Sequence, residues 1–190
     1  PQLKGIAPIV NTLHDPHPHD ESSGFIETVY RKISNAVARY LSGIIVLNSK
    51  DAEYVKGKYN KPLAIIPHAA FSFYSKLAKG VDASIIKHQI CFVGRIEPYK
   101  GVDILVDAFL KLKNKDIKLV IAGNGSISGD VLNKISNNKN ILLVNRFVSD
   151  EEMVQIIESS DFMVLPYKRA SQSGVIPMSF ALGRTVLATR

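Results

Sequence analysis

Short, unbroken apolar runs alternate with amphipathic stretches along almost the whole chain, and this rhythm leaves few folds open. A strand with one face in water alternates polar and apolar side chains, whereas one covered on both faces is apolar throughout, as parallel strands are. Residues 43–47, Gln89–Val93, Lys118–Ala122, Ile141–Val144, Phe162–Leu165 and Thr185–Ala188 are of the second kind. Residues 7–12 and 63–67 read as further strands. The segments between runs are long enough to cross from one parallel strand to the next. Phe25, Ile26, Val29, Tyr30, Ile33, Val37, Tyr40 and Leu41 recur at helical spacing and predict a long amphipathic helix. Shorter helices are expected over 51–59, 131–135 and 175–182. Ile104, Leu105, Ala108, Phe109 and Leu112 form one face of another. Ser149 and Glu152 have the spacing of a capping box and open a helix carrying Met153, Ile156 and Ile157.

The rhythm runs twice. It is interrupted over 71–88, where no periodicity holds and which reads as the connection between domains. Two doubly wound, parallel-sheet α/β lobes follow, over residues 1–85 and 86–190. In such sheets ligands bind beyond the carboxyl ends of the strands, so the loops there are the places to search for chemistry.

Composition removes several alternatives. No apolar stretch approaches the roughly 18–20 residues a spanning helix needs. The single cysteine, Cys91, cannot close an internal disulfide, and its apolar surroundings mark it as a small core residue. The net charge of +7 is spread evenly: ten Lys and Arg against seven Asp and Glu through Ile85, fourteen against ten after it. There is no basic arm of the kind that reads nucleic acid. An even positive excess suits anionic small ligands or an anionic membrane surface. The chain begins at Pro1 rather than Met, so it says little about a leader sequence.

Four strand-end loops stand out in the second half. In FVGRIEPYKG (92–101), Gly94 ends a strand, Arg95 follows, and Lys100–Gly101 opens a helix. A guanidinium fork, an ammonium and a helix start suit a phosphate group, and an Arg95–Glu97 surface pair is the plainer alternative. AGNGS (122–126) places Gly123 and Gly125 where backbone can approach a flat ligand or phosphate, or simply make a tight turn. Asn145–Val148 has no distinctive chemistry by itself. In PYKRASQSG (166–174), Ser173 and Gly174 lie at a helix start with Lys168 and Arg169 nearby. These four residues suit the same anion, or a capped helix with two solvent cations. His14, Asp15, His17 and His19 crowd one loop, but Pro16 and Pro18 stiffen it. That cluster reads as a solvated polar loop, an active-site His14 or a metal site. His68, after Pro67 at a strand end, is a candidate to face the cleft, and His88 reads as surface.

FVGRIEPYKG, LVIAGNG and PYKRASQSGVIPMSFALGRTVLAT, in this order and spacing, resemble the nucleotide-sugar domain of family 4 glycosyltransferases with the GT-B fold. The resemblance covers nearly all of residues 90–190. More loosely, VNTLHDPH, GIIVLNS and IIPHA resemble the acceptor-side domain. It implies two Rossmann-like lobes holding a UDP- or GDP-sugar between them, the first incomplete because the chain enters it midway and the second stopping before its last strand and helices, and transfer of the sugar with retention to a glycan or lipid-linked acceptor. The setting would be polysaccharide or glycolipid synthesis in the cytoplasm, with peripheral contact at the inner membrane face. Arg95 and Lys100 match the cationic pair that steadies the departing diphosphate, and His14 the histidine near the reacting carbon. Gly94, Ser173 and Gly174 match the phosphate contacts, and Gly123, Gly125 and Phe147 the surroundings of base and ribose. No nucleic acid, cofactor or metal is implied, since two cations and a helix dipole offset the leaving charge. One departure matters. The family's Glu, seven residues, Glu pattern is replaced by Ala170 and Met178. Ser171 or Gln172 is left to contact the sugar, and a non-catalytic nucleotide-binding lobe acting as a partner or regulatory subunit is the alternative.

Overall fold

The computed structural model describes residues 7–14, 16, 36–78, 88–169 and 173–189. They divide into two compact units, one through His68 and one from Ala69. In the first unit, strands β1 (Val10–Leu13), β2 (Gly43–Val46) and β3 (Leu63–Ile65) form a parallel sheet in that order. Helix α1 (Ser49–Lys58) crosses from β2 to β3, and the Asn48 side chain caps it by accepting from the Asp51 amide at 2.8 Å. Ala38, Leu41, Ile44, Val46, Ala52 and Val55 are its buried core. Of the long helix expected over 25–41, residues 17–35 lie outside those described; residues 36–38 are helical.

The second unit begins with a helix, α2 (Ser72–Leu77), inside the segment read as a connection. It packs on two later helices of the same unit, which is why the chain divides at His68 and not near Ile85. Then come β4 (Gln89–Val93), α3 (Val102–Leu110), β5 (Lys118–Ala122), α4 (Gly129–Ser136), β6 (Ile141–Val144), α5 (Asp150–Glu158), β7 (Phe162–Leu165), α6 (Val175–Ala181) and β8 (Thr185–Ala188). All five strands are parallel, in the order β6-β5-β4-β7-β8. Their bounds are those the apolar runs predict; side chains on both faces are covered in the inner strands β4, β5 and β7, while the edge strands β6 and β8 are partly open, with Leu142 and Leu187 exposed. Phe92, Leu119, Ile121, Met163 and Leu165 are almost fully buried, each burial stabilising by roughly 1.5–3 kcal/mol.

Helix α3 turns its Val102, Leu105, Val106 and Phe109 face inward, while Ile104 and Leu112 point to solvent. The expected face was therefore rotated by about one residue, since the i, i+3, i+4, i+7 set begins at Val102. The capping box forms as read: the Ser149 hydroxyl accepts from the Glu152 amide at 3.3 Å, and the Glu152 carboxylate from the Ser149 amide at 3.2 Å.

A candidate nucleotide-sugar site

Strand order decides where a ligand fits. From β4 the chain proceeds to β5 and β6 on one side, then returns to place β7 and β8 on the other. The loops leaving β4 and β7 therefore part in opposite directions and leave a crevice at the carboxyl ends of neighbouring strands. That crevice holds a pocket of about 270 Å³. Gly94, Arg95, Tyr99 and Lys100 line it from the β4 loop, Tyr167, Ser173 and Gly174 from the β7 loop, and Val175 and Met178 from α6. Phe71, Tyr74 and Met153 complete an apolar wall. Among the described residues that line it, the only charges are the two cations, so the pocket favours an anion.

The glycines explain how the loops come so close. Gly101, at φ 70°, lies against Pro166, whose carbonyl oxygen would stand 2.0 Å from an added Cβ. A side chain on Gly123 or Gly125 would strike the carbonyl oxygen of Gly94 or Ile96, at 2.0 and 1.9 Å. Here these two glycines serve the packing of loop on loop. The amide of Ile96 donates to Asn124 O at 2.9 Å and that of Ser126 to Ile96 O at 3.1 Å, extending the β4–β5 pairing beyond the strands. Asn145 completes the clamp: its side-chain oxygen accepts from the Gly125 amide and its amide nitrogen donates to Gly125 O, both at 3.1 Å. Taken alone, the Asn145 loop gave no hint of this; the signal was its place after β6, beside AGNGS.

Arg95 is exposed in the pocket and forms no ion pair with Glu97. The Lys100 ammonium lies 3.8 Å from the centre of the Tyr167 ring and 5.2 Å from that of Tyr99. Ser173 does not cap α6; its hydroxyl pairs with the Tyr167 hydroxyl at 3.2 Å. Burial pushes the Tyr167 phenol above its ordinary range, so it stays neutral. Lys168, read as a second anion ligand, instead binds Asp103 at 2.7 Å and lines a smaller pocket with Glu97 and Ser128. A carboxylate in reach neutralises it. Phe147 is 80% exposed and does not line the pocket between β4 and β7. His14 is exposed at the end of β1 in the first unit, its ring 5.9 Å from that of His68. Asp15, His17, His19, Ala170, Ser171 and Gln172 lie outside the described residues. Met178, at the place of the family's second Glu, is buried at the pocket floor.

Residues 87–190 match the sequence profile of the glycosyl transferases group 1 family. The chain belongs to that family. Over 98% of its length it is 24% identical to a GDP-mannose:glycolipid 4-beta-D-mannosyltransferase from Xanthomonas campestris pv. campestris. The crystal structure of Anabaena Alr3699/HepE in complex with UDP and glucose superimposes with a TM-score of 0.68 at 19% identity, over 95% of this chain. Sucrose-phosphate synthase from Thermosynechococcus elongatus gives 0.70 at 17% identity, over 94%. These likenesses show the α/β architecture of GT-B glycosyltransferases. The group 1 chain described here spans about half the length of each, 51%, 52% and 49%.

Proposed function

We propose that this protein transfers a hexose from a UDP- or GDP-sugar to a hydroxyl of a glycan or lipid-linked acceptor, in polysaccharide or glycolipid synthesis. The observation that carries the reading is the meeting of Arg95 and Lys100 with Ser173 and Gly174 in one pocket at the point where the strand order reverses. The name of the Xanthomonas relative supports a sugar nucleotide and a glycolipid acceptor, and the UDP-bound Anabaena structure supports the donor. As the sugar leaves, negative charge grows on the diphosphate. The Arg95 fork and the Lys100 ammonium face that charge in a partly desolvated site, where each is worth more than in water. Gly94 lets the β4 loop turn under the phosphates. His14 would position the sugar or acceptor from the first unit, and Phe147 would meet the base. No metal is needed, so chelation with EDTA leaves turnover unchanged.

Retention is the stereochemistry that the family 4 resemblance supports, whereas the Xanthomonas relative is named for a beta linkage, which from an α-linked donor is inversion. An NMR spectrum of the glycoside formed from an α-linked donor tests retention, and a β-linked product excludes it. No described helix is long and apolar enough to cross a membrane. A glycolipid acceptor would be met by peripheral contact at the inner, cytoplasmic face. In the full-length enzyme, Arg95→Ala should cost about 2–4 kcal/mol of transition-state stabilisation, read from kcat/KM. Turnover near that of the wild type removes Arg95 from the chemistry.

Ala170 and Met178, in place of the Glu pair, favour a second reading, a nucleotide-binding lobe without catalysis. Calorimetry with UDP and GDP followed by donor-hydrolysis assays separates the two: the second binds nucleotide and releases no sugar.

A further inference from the structure

Tyr167 is buried, and its backbone is held on every side. The next amide, that of Lys168, donates to Tyr99 O at 2.8 Å, the Lys168 ammonium grips Asp103 at 2.7 Å, and the Thr189 hydroxyl donates to Tyr167 O. Burial and the contact of its hydroxyl with the Ser173 hydroxyl at 3.2 Å hold the ring itself. One face of it lies 3.8 Å below the Lys100 ammonium, in the range of a strong cation–π contact. Its hydroxyl reaches Ser173 across the pocket. A half-buried lysine on a turn still samples several rotamers, and gripping an anion costs that freedom. A fixed aromatic face lowers the cost by restricting the rotamers before the anion arrives.

We propose that Tyr167 is a positioning residue: its ring seats the Lys100 ammonium where the donor diphosphate binds, and its hydroxyl ties the seat to Ser173. The proposal rests on the nucleotide-sugar reading above and adds to it the residue that makes the lysine ready. A tyrosine that merely fills space predicts a loss of stability unrelated to Lys100.

The test has two arms, both in the full chain. In the first, GDP and UDP are titrated by calorimetry into wild type, Tyr167→Phe, Tyr167→Leu, Lys100→Ala and the Tyr167→Leu/Lys100→Ala double variant. Tyr167→Phe, which keeps the ring, should bind within about threefold of wild type. Tyr167→Leu should bind about tenfold more weakly. The double variant should bind no more weakly than Lys100→Ala, because the seat has no value without its lysine. Additive losses overturn the proposal, and so does an equal loss in Tyr167→Phe and Tyr167→Leu. In the second arm, lysines are reductively dimethylated with ¹³C, which keeps their charge, and the Lys100 signal is assigned by its absence in Lys100→Arg. In ligand-free wild type it should lie upfield of the other lysines through the ring current of Tyr167. A bulk-like position with nucleotide still binding overturns the seat and leaves the donor reading intact. An upfield signal with no nucleotide binding overturns the donor reading, and with it the role proposed for the seat.

Discussion

Gly125 and Gly129 are four residues apart and differ in what surrounds them. A Cβ on Gly125 would stand 1.9 Å from the Ile96 carbonyl oxygen, whereas nothing lies within 4 Å of one on Gly129. Gly125→Ala must push the AGNGS loop off the β4 loop, at a cost of about 2–3 kcal/mol, and loosen the Arg95 turn with it. Gly129→Ala, at the open first turn of α4, should be neutral or stabilising by up to about 1 kcal/mol. Urea melts of the two variants check the contrast, and equal effects would mean that loop packing is not what requires a glycine at Gly125. Cys91 gives a residue-scale prediction in pH. Burial in the core pushes its thiol up from an ordinary 9.0 to about 11. As pH rises, the unfolded chain loses this proton first. The stability linked to it is whole below pH 9 and is lost between 9 and about 11, on the order of 2 kcal/mol. Stability against pH, compared for wild type and Cys91→Ala, should show the steeper alkaline decline in wild type. A thiol reagent at pH 7 should leave Cys91 unmodified until the protein unfolds.

At the scale of elements, α5 is fixed at its start by a compact set of contacts. Ser149 and Glu152 close the capping box, and Arg146 grips the Glu152 carboxylate with both terminal nitrogens, at 2.7 and 2.9 Å. Ser149→Ala should cost about 1 kcal/mol by thermal melting. The Arg146 hydrogen bonds hold the Glu152 carboxyl down from an ordinary 4.5 to about 2. What that contact contributes is present above pH 4.5 and lost as pH falls through the window to about 2. Arg146→Met should flatten the acid limb of the stability curve there. Both partners are solvated, so the flattening is small. The capping box was legible because its residues are three apart in the chain, and β4, β5 and β7 because buried parallel strands are apolar without interruption; the edge strands β6 and β8 share the apolar pattern although Leu142 and Leu187 are exposed. Helix α2 was not: it has six residues, none of them buried, and Phe73 faces solvent. Strand ends also named the loops that carry Arg95, Lys100, Ser173 and Gly174. They did not show that Lys168 would meet Asp103, that Tyr167 would lie under Lys100, or that Asn145 would clamp Gly125. Those pairings join residues 20 to 67 positions apart, and only the strand order brings them together.

At the scale of the whole molecule, the described parts of the two units are unequally built. Among the described residues, the second has a cluster of twenty-five buried core residues and the first a cluster of six. Strand β2 is buried, but β1 and β3 beside it are largely open. In native-state hydrogen exchange, the β2 amides should therefore open at lower free energy than those of β4 and β5, by at least about 2 kcal/mol, or some thirtyfold in protection. Nucleotide sharpens the test, because its proposed phosphate contacts all lie in the second unit. GDP or UDP at one hundred times its Kd should stabilise that unit by about 2.7 kcal/mol, slowing globally exchanging β4 and β5 amides about one hundredfold. If β2 amides, which open first, keep their own lower barrier with nucleotide bound, the second unit holds the phosphates on its own. If their protection rises equally, the first unit takes a direct part in binding, and His14 becomes the residue to substitute next.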